Sequence, residues 1–261
     1  MIAMFGNNII DRDTRTADLR TDPALVAKRI TLEPNKYSRL VFLADPNGLA
    51  VERYKLLRSR LFAVSPHGGL ILVTSPSVGD GKTLTSTNLA WSLADAGRQT
   101  CLVDFDFRAP GLPESLGYEI PPDDSDVVEV LAGLSTIPRT IRQIGDHPLY
   151  MLGIKESQLS PAAEFSSPLL QSFLSQLRNS FEWVILDMPP AIPMSDVSEV
   201  LPFVDGALLV VRSSKTTKAL ISPAVEILGA KCWGVILNDA EINGSAYYGY
   251  YGYGKDRKRQ R

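Results

Sequence analysis

Residues 75–83 read Ser-Pro-Ser-Val-Gly-Asp-Gly-Lys-Thr, an order of small, glycine, lysine and hydroxyl residues suited to cradling a polyphosphate. Gly79 and Gly81 let backbone N–H groups approach phosphate oxygens, and a helix starting after them adds a favourable dipole. Lys82 can then reach the β- and γ-phosphates of ATP, and Thr83 can place its hydroxyl on Mg²⁺. Val78, Asp80 and Leu84 complete the segment expected to wrap the nucleotide, while Pro76 replaces the first glycine of the general G-x-x-x-x-G-K-[ST] pattern. Two carboxylate motifs lie downstream. Asp104 and Asp106 are two apart at the end of an apolar run, so they point to one face of a strand. Asp187 closes a second such run, just before Pro189-Pro190. Open α/β sheets bind ligands outside the carboxyl ends of their strands, which brings Asp104, Asp106 and Asp187 toward Lys82.

A different chemistry is written near the end of the chain, where Tyr247, Tyr248, Tyr250, Tyr251 and Tyr253 alternate with glycine. A core does not use tyrosine this way. Interleaved glycines suit an extended segment that enters an active site as phosphoacceptor. Each phosphate would add about −1.5 to −2 charges. The basic run at 255–261 follows directly.

The elements that must position these residues are legible from periodicity. Apolar runs at 70–74, 100–105, 181–187, 207–211 and 232–237 read as strands buried on both faces, with a further strand at 149–152. Helical patterns occupy 84–96, 126–131, 168–177 and 218–228, the third with Ser167 as cap and Pro168 at the first helical position. Ahead of them, Ala50, Tyr54, Leu57 and Leu61 form the stripe of an amphipathic helix over 49–62. Alternating strands and helices predict an α/β fold, a mostly parallel central sheet with helices on both faces. Residues 1–45 are polar and poorly periodic and read as a flexible arm; 46–243 form the folded domain; 244–261 form a flexible tail.

With 44% hydrophobic residues and a formal net charge of −2, the chain can build one large core but lacks the bulk basic surface of a nucleic-acid binder. The two cysteines, Cys101 and Cys232, sit in apolar strands, which suits a reducing compartment. No run of about 18 apolar residues is present, so a cytoplasmic protein is expected.

The chain resembles the bacterial tyrosine kinases of capsule and exopolysaccharide synthesis, which are built on a partitioning-ATPase-like P-loop fold with a deviant Walker A loop. The resemblance runs from about residue 46 onward and rests on four stretches in this order: residues 75–83, Val103-Asp104-Phe105-Asp106-Phe107-Arg108, Val184-Ile185-Leu186-Asp187-Met188-Pro189-Pro190, and Gly234-Val235-Ile236-Leu237-Asn238, followed by the tyrosine cluster. It implies that Thr83, Asp104 and Asp187 serve Mg²⁺, with Thr83 a direct ligand and the aspartates orienting the ion and its waters. It also implies that Asp106 accepts the tyrosine proton. Related division-site and plasmid-partitioning ATPases carry a lysine that crosses a dimer interface, where this chain has Ser77.

By the same resemblance, Glu52, Lys55 and Arg58 follow an E-x-x-R-x-x-R element used between neighbouring subunits of a ring, with lysine at the middle position. The implied function is ATP-dependent autophosphorylation of the tail in trans, regulating polysaccharide synthesis or export. The implied partners are a homo-oligomer that dissociates on phosphorylation, a membrane adaptor of the polysaccharide copolymerase type that holds the protein at the inner face of the membrane, and a tyrosine phosphatase. Two other classes remain open from the residues alone: a positioning ATPase without a protein acceptor, and a nucleotide-binding scaffold.

Overall fold

The computed structural model describes residues 2–5, 27–32, 39–158, 165 and 168–241. Among these residues, nine strands form a single sheet in the order β1-β9-β8-β3-β7-β4-β6-β5-β2. Its centre is the expected parallel set: β3 (Gly69–Thr74), β4 (Thr100–Asp104), β6 (Leu149–Leu152), β7 (Trp183–Asp187), β8 (Gly206–Arg212) and β9 (Cys232–Asn238). Every residue of β3, β4, β6 and β7 is buried, which is why these strands read as unbroken apolar runs. Two apolar cores flank the sheet. Leu70, Leu72, Val103 and Leu186 face one, and Ile71, Val73, Leu102 and Ile185 face the other.

Helices cover both faces: α1 (Val41–Ala44), α2 (Leu49–Val64), α3 (Lys82–Asp95), α4 (Leu112–Leu116), α5 (Val127–Leu131), α6 (Ile137–Thr140), α7 (Leu169–Ser180), α8 (Asp196–Val200) and α9 (Lys218–Leu228). The buried stripe of α2 is Val51, Tyr54, Leu57, Leu61 and Val64. Ala50, expected in that stripe, is exposed. In α7, Leu170, Phe173, Leu174 and Leu177 face the core as expected, but Pro168 stands one position before the helix. Ser167 lies outside the described residues.

The first 45 residues, read from sequence as an arm, contribute three elements. Strand β1 (Ile2–Phe5) pairs antiparallel with β9, Ile2 opposite Leu237. Strand β2 (Lys28–Ile30) pairs parallel with β5 (Arg142–Ile144) at the opposite edge. The helix α1 buries Phe42. Strands of three or four residues are too short to show a period, so their sequence signal is weak.

Candidate active site

The phosphate loop joins β3 to α3, and its shape depends on two left-handed glycines, Gly79 (φ 84°) and Gly81 (φ 100°). Hydrogen bonds not expected from the sequence hold it. Asp80 is buried, and its Oδ2 accepts from the Ser77 backbone N–H (3.1 Å) and hydroxyl (3.0 Å). Its Oδ1 accepts from the Thr216 hydroxyl at 2.7 Å, beyond β8. Asn238, at the end of β9, donates to the Asp80 carbonyl at 3.0 Å, and Arg212 donates to the Gly79 carbonyl at 3.3 Å. Asp80 is therefore a staple that ties the loop to two strand ends. Val78, at the loop tip, is 85% exposed.

The β3, β4 and β7 ends are also locked together. The Thr74 hydroxyl donates to the Pro189 carbonyl at 2.6 Å, and the Phe105 N–H donates to the Asp187 carbonyl at 2.9 Å. Asp104 and Asp187 are register partners across β4 and β7. Their side chains converge on the first turn of α3. Lys82 Nζ lies 2.7 Å from Asp106 Oδ2 and 3.9 Å from Asp187 Oδ2, and donates to the Thr83 hydroxyl at 3.3 Å. Burial alone would depress the lysine pKa, but Asp187, Asp106 and Asp104 outweigh it and hold the ammonium above its ordinary value.

The three aspartates differ in their surroundings. Asp187 Oδ1 accepts from the Ser86 hydroxyl at 2.9 Å, whereas its buried Oδ2 accepts no hydrogen bond among the described residues. An orphaned, buried carboxylate oxygen beside the Thr83 hydroxyl suits a hard divalent cation such as Mg²⁺, which takes oxygen ligands. Asp104 is buried completely; its Oδ1 accepts from Asp106 N (3.2 Å) and its Oδ2 from Leu112 N (3.1 Å). Burial first, then the Asp187 charge, pushes its pKa up to about 8. Asp106 Oδ1 accepts from Ala109 N at 3.0 Å, which leaves Oδ2 toward Lys82.

These groups open into a cavity of about 590 Å³, walled by the phosphate loop, the segment after β7 (Pro189, Ile192, Met194) and the ends of β8 and β9. Arg108 lines it but is paired to Asp196 through Nε at 3.1 Å. Arg39, from the stretch read as an arm, lines it too. Ser86 was within reach of sequence reasoning, since four residues from Lys82 on a helix share its face. Arg39 and Thr216 carried no such signal.

The flank expected to meet a neighbouring subunit is internally paired. Lys55 bonds Glu52 at 2.9 Å, and Arg58 turns onto α3, bonding the Ser92 carbonyl and lying 3.7 Å from Asp95. The five tyrosines expected to be acceptors lie outside the described residues.

A mostly parallel sheet with a phosphate loop leading into a central helix, and carboxylates at adjacent strand ends, defines a P-loop NTPase. The family model described as ParA, NUBPL iron-transfer P-loop NTPase, matches residues 68–241. Tyrosine-protein kinase YwqD of Bacillus subtilis is 27% identical over 232 residues, covering 85% of this chain and 97% of YwqD. Tyrosine-protein kinase CpsD of Streptococcus pneumoniae serotype 4 is 30% identical over 202 residues, covering 76% and 88%. The succinoglycan biosynthesis transport protein ExoP of Rhizobium meliloti is 28% identical over 222 residues, 82% of this chain, but the match spans only 28% of ExoP. Among solved structures, the chimerical protein CapA2B2 superposes with a TM-score of 0.72 at 25% identity, covering 81% of this chain and 93% of that one. The chain belongs to the ParA-type P-loop NTPases and, within them, to the bacterial tyrosine kinases.

Proposed function

We propose that the chain is an ATP-dependent protein-tyrosine kinase whose acceptors are Tyr247, Tyr248, Tyr250, Tyr251 and Tyr253 of a neighbouring copy. The observation that carries this reading is the Lys82 ammonium set between Asp106 and Asp187 at the mouth of a phosphate loop. Val78 to Leu84 wrap the phosphates, and Lys82 leaves Asp106 for the β- and γ-phosphates when ATP arrives. That exchange frees Asp106 Oδ2 to accept the phenolic proton. The bond from the γ-phosphorus to the β–γ bridging oxygen breaks with its electron pair on ADP, and the tyrosine oxygen bonds to phosphorus. Thr83 and Asp187 would hold Mg²⁺, with Asp104 acting through its water shell. The ion supplies charge neutralisation on the phosphate oxygens.

In this reading the tail acts as a switch. Accumulated negative charge repels it from a carboxylate-lined site and loosens a ring-like homo-oligomer in which Glu52, Lys55 and Arg58 exchange their internal partners for a neighbour's. Among the described residues no helix is long and apolar enough to cross a membrane. Recruitment from the cytoplasm to the inner membrane face would then fall to an adaptor of the polysaccharide copolymerase type, with a tyrosine phosphatase resetting the tail and surface polysaccharide as the regulated output. The names of YwqD, CpsD and ExoP support this context.

Incubating the purified protein with ATP and Mg²⁺ and mapping phosphotyrosine by mass spectrometry tests the claim. Phosphate on residues 247–253, absent in Lys82→Met, is expected. A tail without phosphotyrosine, with the activating adaptor segment supplied, overturns it.

A further inference from the structure

Four basic side chains border the catalytic cavity, and three of them are committed. Lys82 is held by Asp106 at 2.7 Å, Arg108 by Asp196 at 3.1 Å, and Arg212 by Asp239 at 2.9 Å. The fourth, Arg39, is exposed at the cavity rim and has no acidic partner among the described residues.

Its backbone, by contrast, is fixed. Asn88 is fully buried on α3 and donates to the Arg39 carbonyl at 2.8 Å while accepting from Val41 N at 2.8 Å. The Arg39 N–H donates to the Ser115 carbonyl at 3.4 Å, and Leu40 beside it is buried. The arginine is thus rooted on the same helix that begins at Lys82, while its guanidinium has no acidic partner among the described residues. A solvated surface arginine needs no such anchor. A planar fork of donors held at the rim of a phosphate cavity matches the oxygens of a phosphoryl group.

We propose that Arg39 contacts phosphate in this site: its guanidinium closes on the γ-phosphoryl group of ATP from the side opposite the phosphate loop and neutralises the charge on its oxygens during transfer. The inference rests on the reading of the site as a phosphoryl-transfer centre. Bond making and breaking stay as described above, with the phenolic proton going to Asp106. Arg39 exchanges no proton, because a guanidinium stays charged throughout.

The test uses the full chain as Arg39→Ala and Arg39→Lys, with three readouts: affinity for ADP by titration, kcat for tail phosphotyrosine, and kcat for ATP hydrolysis. Removing one donor from a transition-state cradle lowers kcat by about 100-fold or more. A loss of that order is expected in Arg39→Ala, with ADP affinity within about threefold of wild type because ADP lacks the contacted group. Arg39→Lys should fall between, since an ammonium keeps the charge but not the fork. A kcat in Arg39→Ala within about threefold of wild type overturns the proposal, as does an ADP affinity that falls in step with the rate. If wild type hydrolyses ATP but forms no phosphotyrosine, the kinase reading fails, and Arg39 stands or falls by the same criterion applied to hydrolysis.

Discussion

At the scale of single residues, burial gives Asp104 a role apart from its two neighbours. Both of its oxygens accept backbone N–H groups, one from Asp106 and one from the first residue of α4, so it shapes the chain around Asp106, the proposed proton acceptor. Its folded pKa of about 8 lies above the roughly 3.9 of an unfolded aspartate. Between those values the folded protein holds a proton that the unfolded chain has released. The stability that Asp104 contributes is therefore full below about pH 4 and declines as pH rises toward 8. Asp104→Asn cannot titrate, and it loses one backbone hydrogen bond, about 1 kcal/mol. Melting curves of nucleotide-free, metal-free protein from pH 4 to 8 should show a Tm in the variant that is lower at pH 4 but falls less as pH rises, so that the two curves converge or cross. Parallel slopes would remove Asp104 as the source. Lys82, Thr83 and the three aspartates were legible in the sequence because type and spacing name their chemistry. Arg39 was not, since only the path of the chain before α2 brings it to the cavity.

At the scale of elements, the junction of β3 and α3 concentrates the constraints. Gly81 has φ of 100°, and a Cβ there would stand 2.0 Å from Asn238 Nδ2, whose position is fixed by its bond to the Asp80 carbonyl. Gly81→Ala should lower ATP affinity by about tenfold or more, the equivalent of 1–2 kcal/mol of local strain. Gly81→Ala with Asn238→Ala should recover only part of it, because the clash is relieved and the backbone strain is not. Full recovery in a nucleotide titration would show that sterics alone matter. That Asp80, Thr216 and Asn238 form one hydrogen-bonded unit was not legible in the sequence, because their separations of more than a hundred residues, or of more than twenty, are closed only by parallel strand order. The helices themselves were read to within a turn where an apolar stripe repeats, as in α2, α7 and α9. Of the helices of four or five residues, α5 was expected at 126–131, whereas α1, α4, α6 and α8, too short to carry a period, were not.

At the scale of the molecule, nine strands share one sheet, but its two edges come from the segment before residue 46. The central strands were legible because burial on both faces demands apolar runs, whereas β1, β2 and β5 lean on neighbours and were not. Deleting residues 1–6 removes the antiparallel partner of β9 and leaves its edge open. The truncated protein should melt several degrees lower and self-associate, as unpaired edges do. A truncated form that stays monodisperse in sedimentation, with unchanged Tm, would mean that β1 contributes nothing to the sheet. The grip of Asn238 on the phosphate loop also makes edge and nucleotide thermodynamically reciprocal. Whatever free energy bound nucleotide adds to the ordering of β9, an ordered β9 returns as affinity, in equal amount. Amide exchange along β9 thereby becomes a gauge of occupancy at a loop more than 150 residues away in the chain.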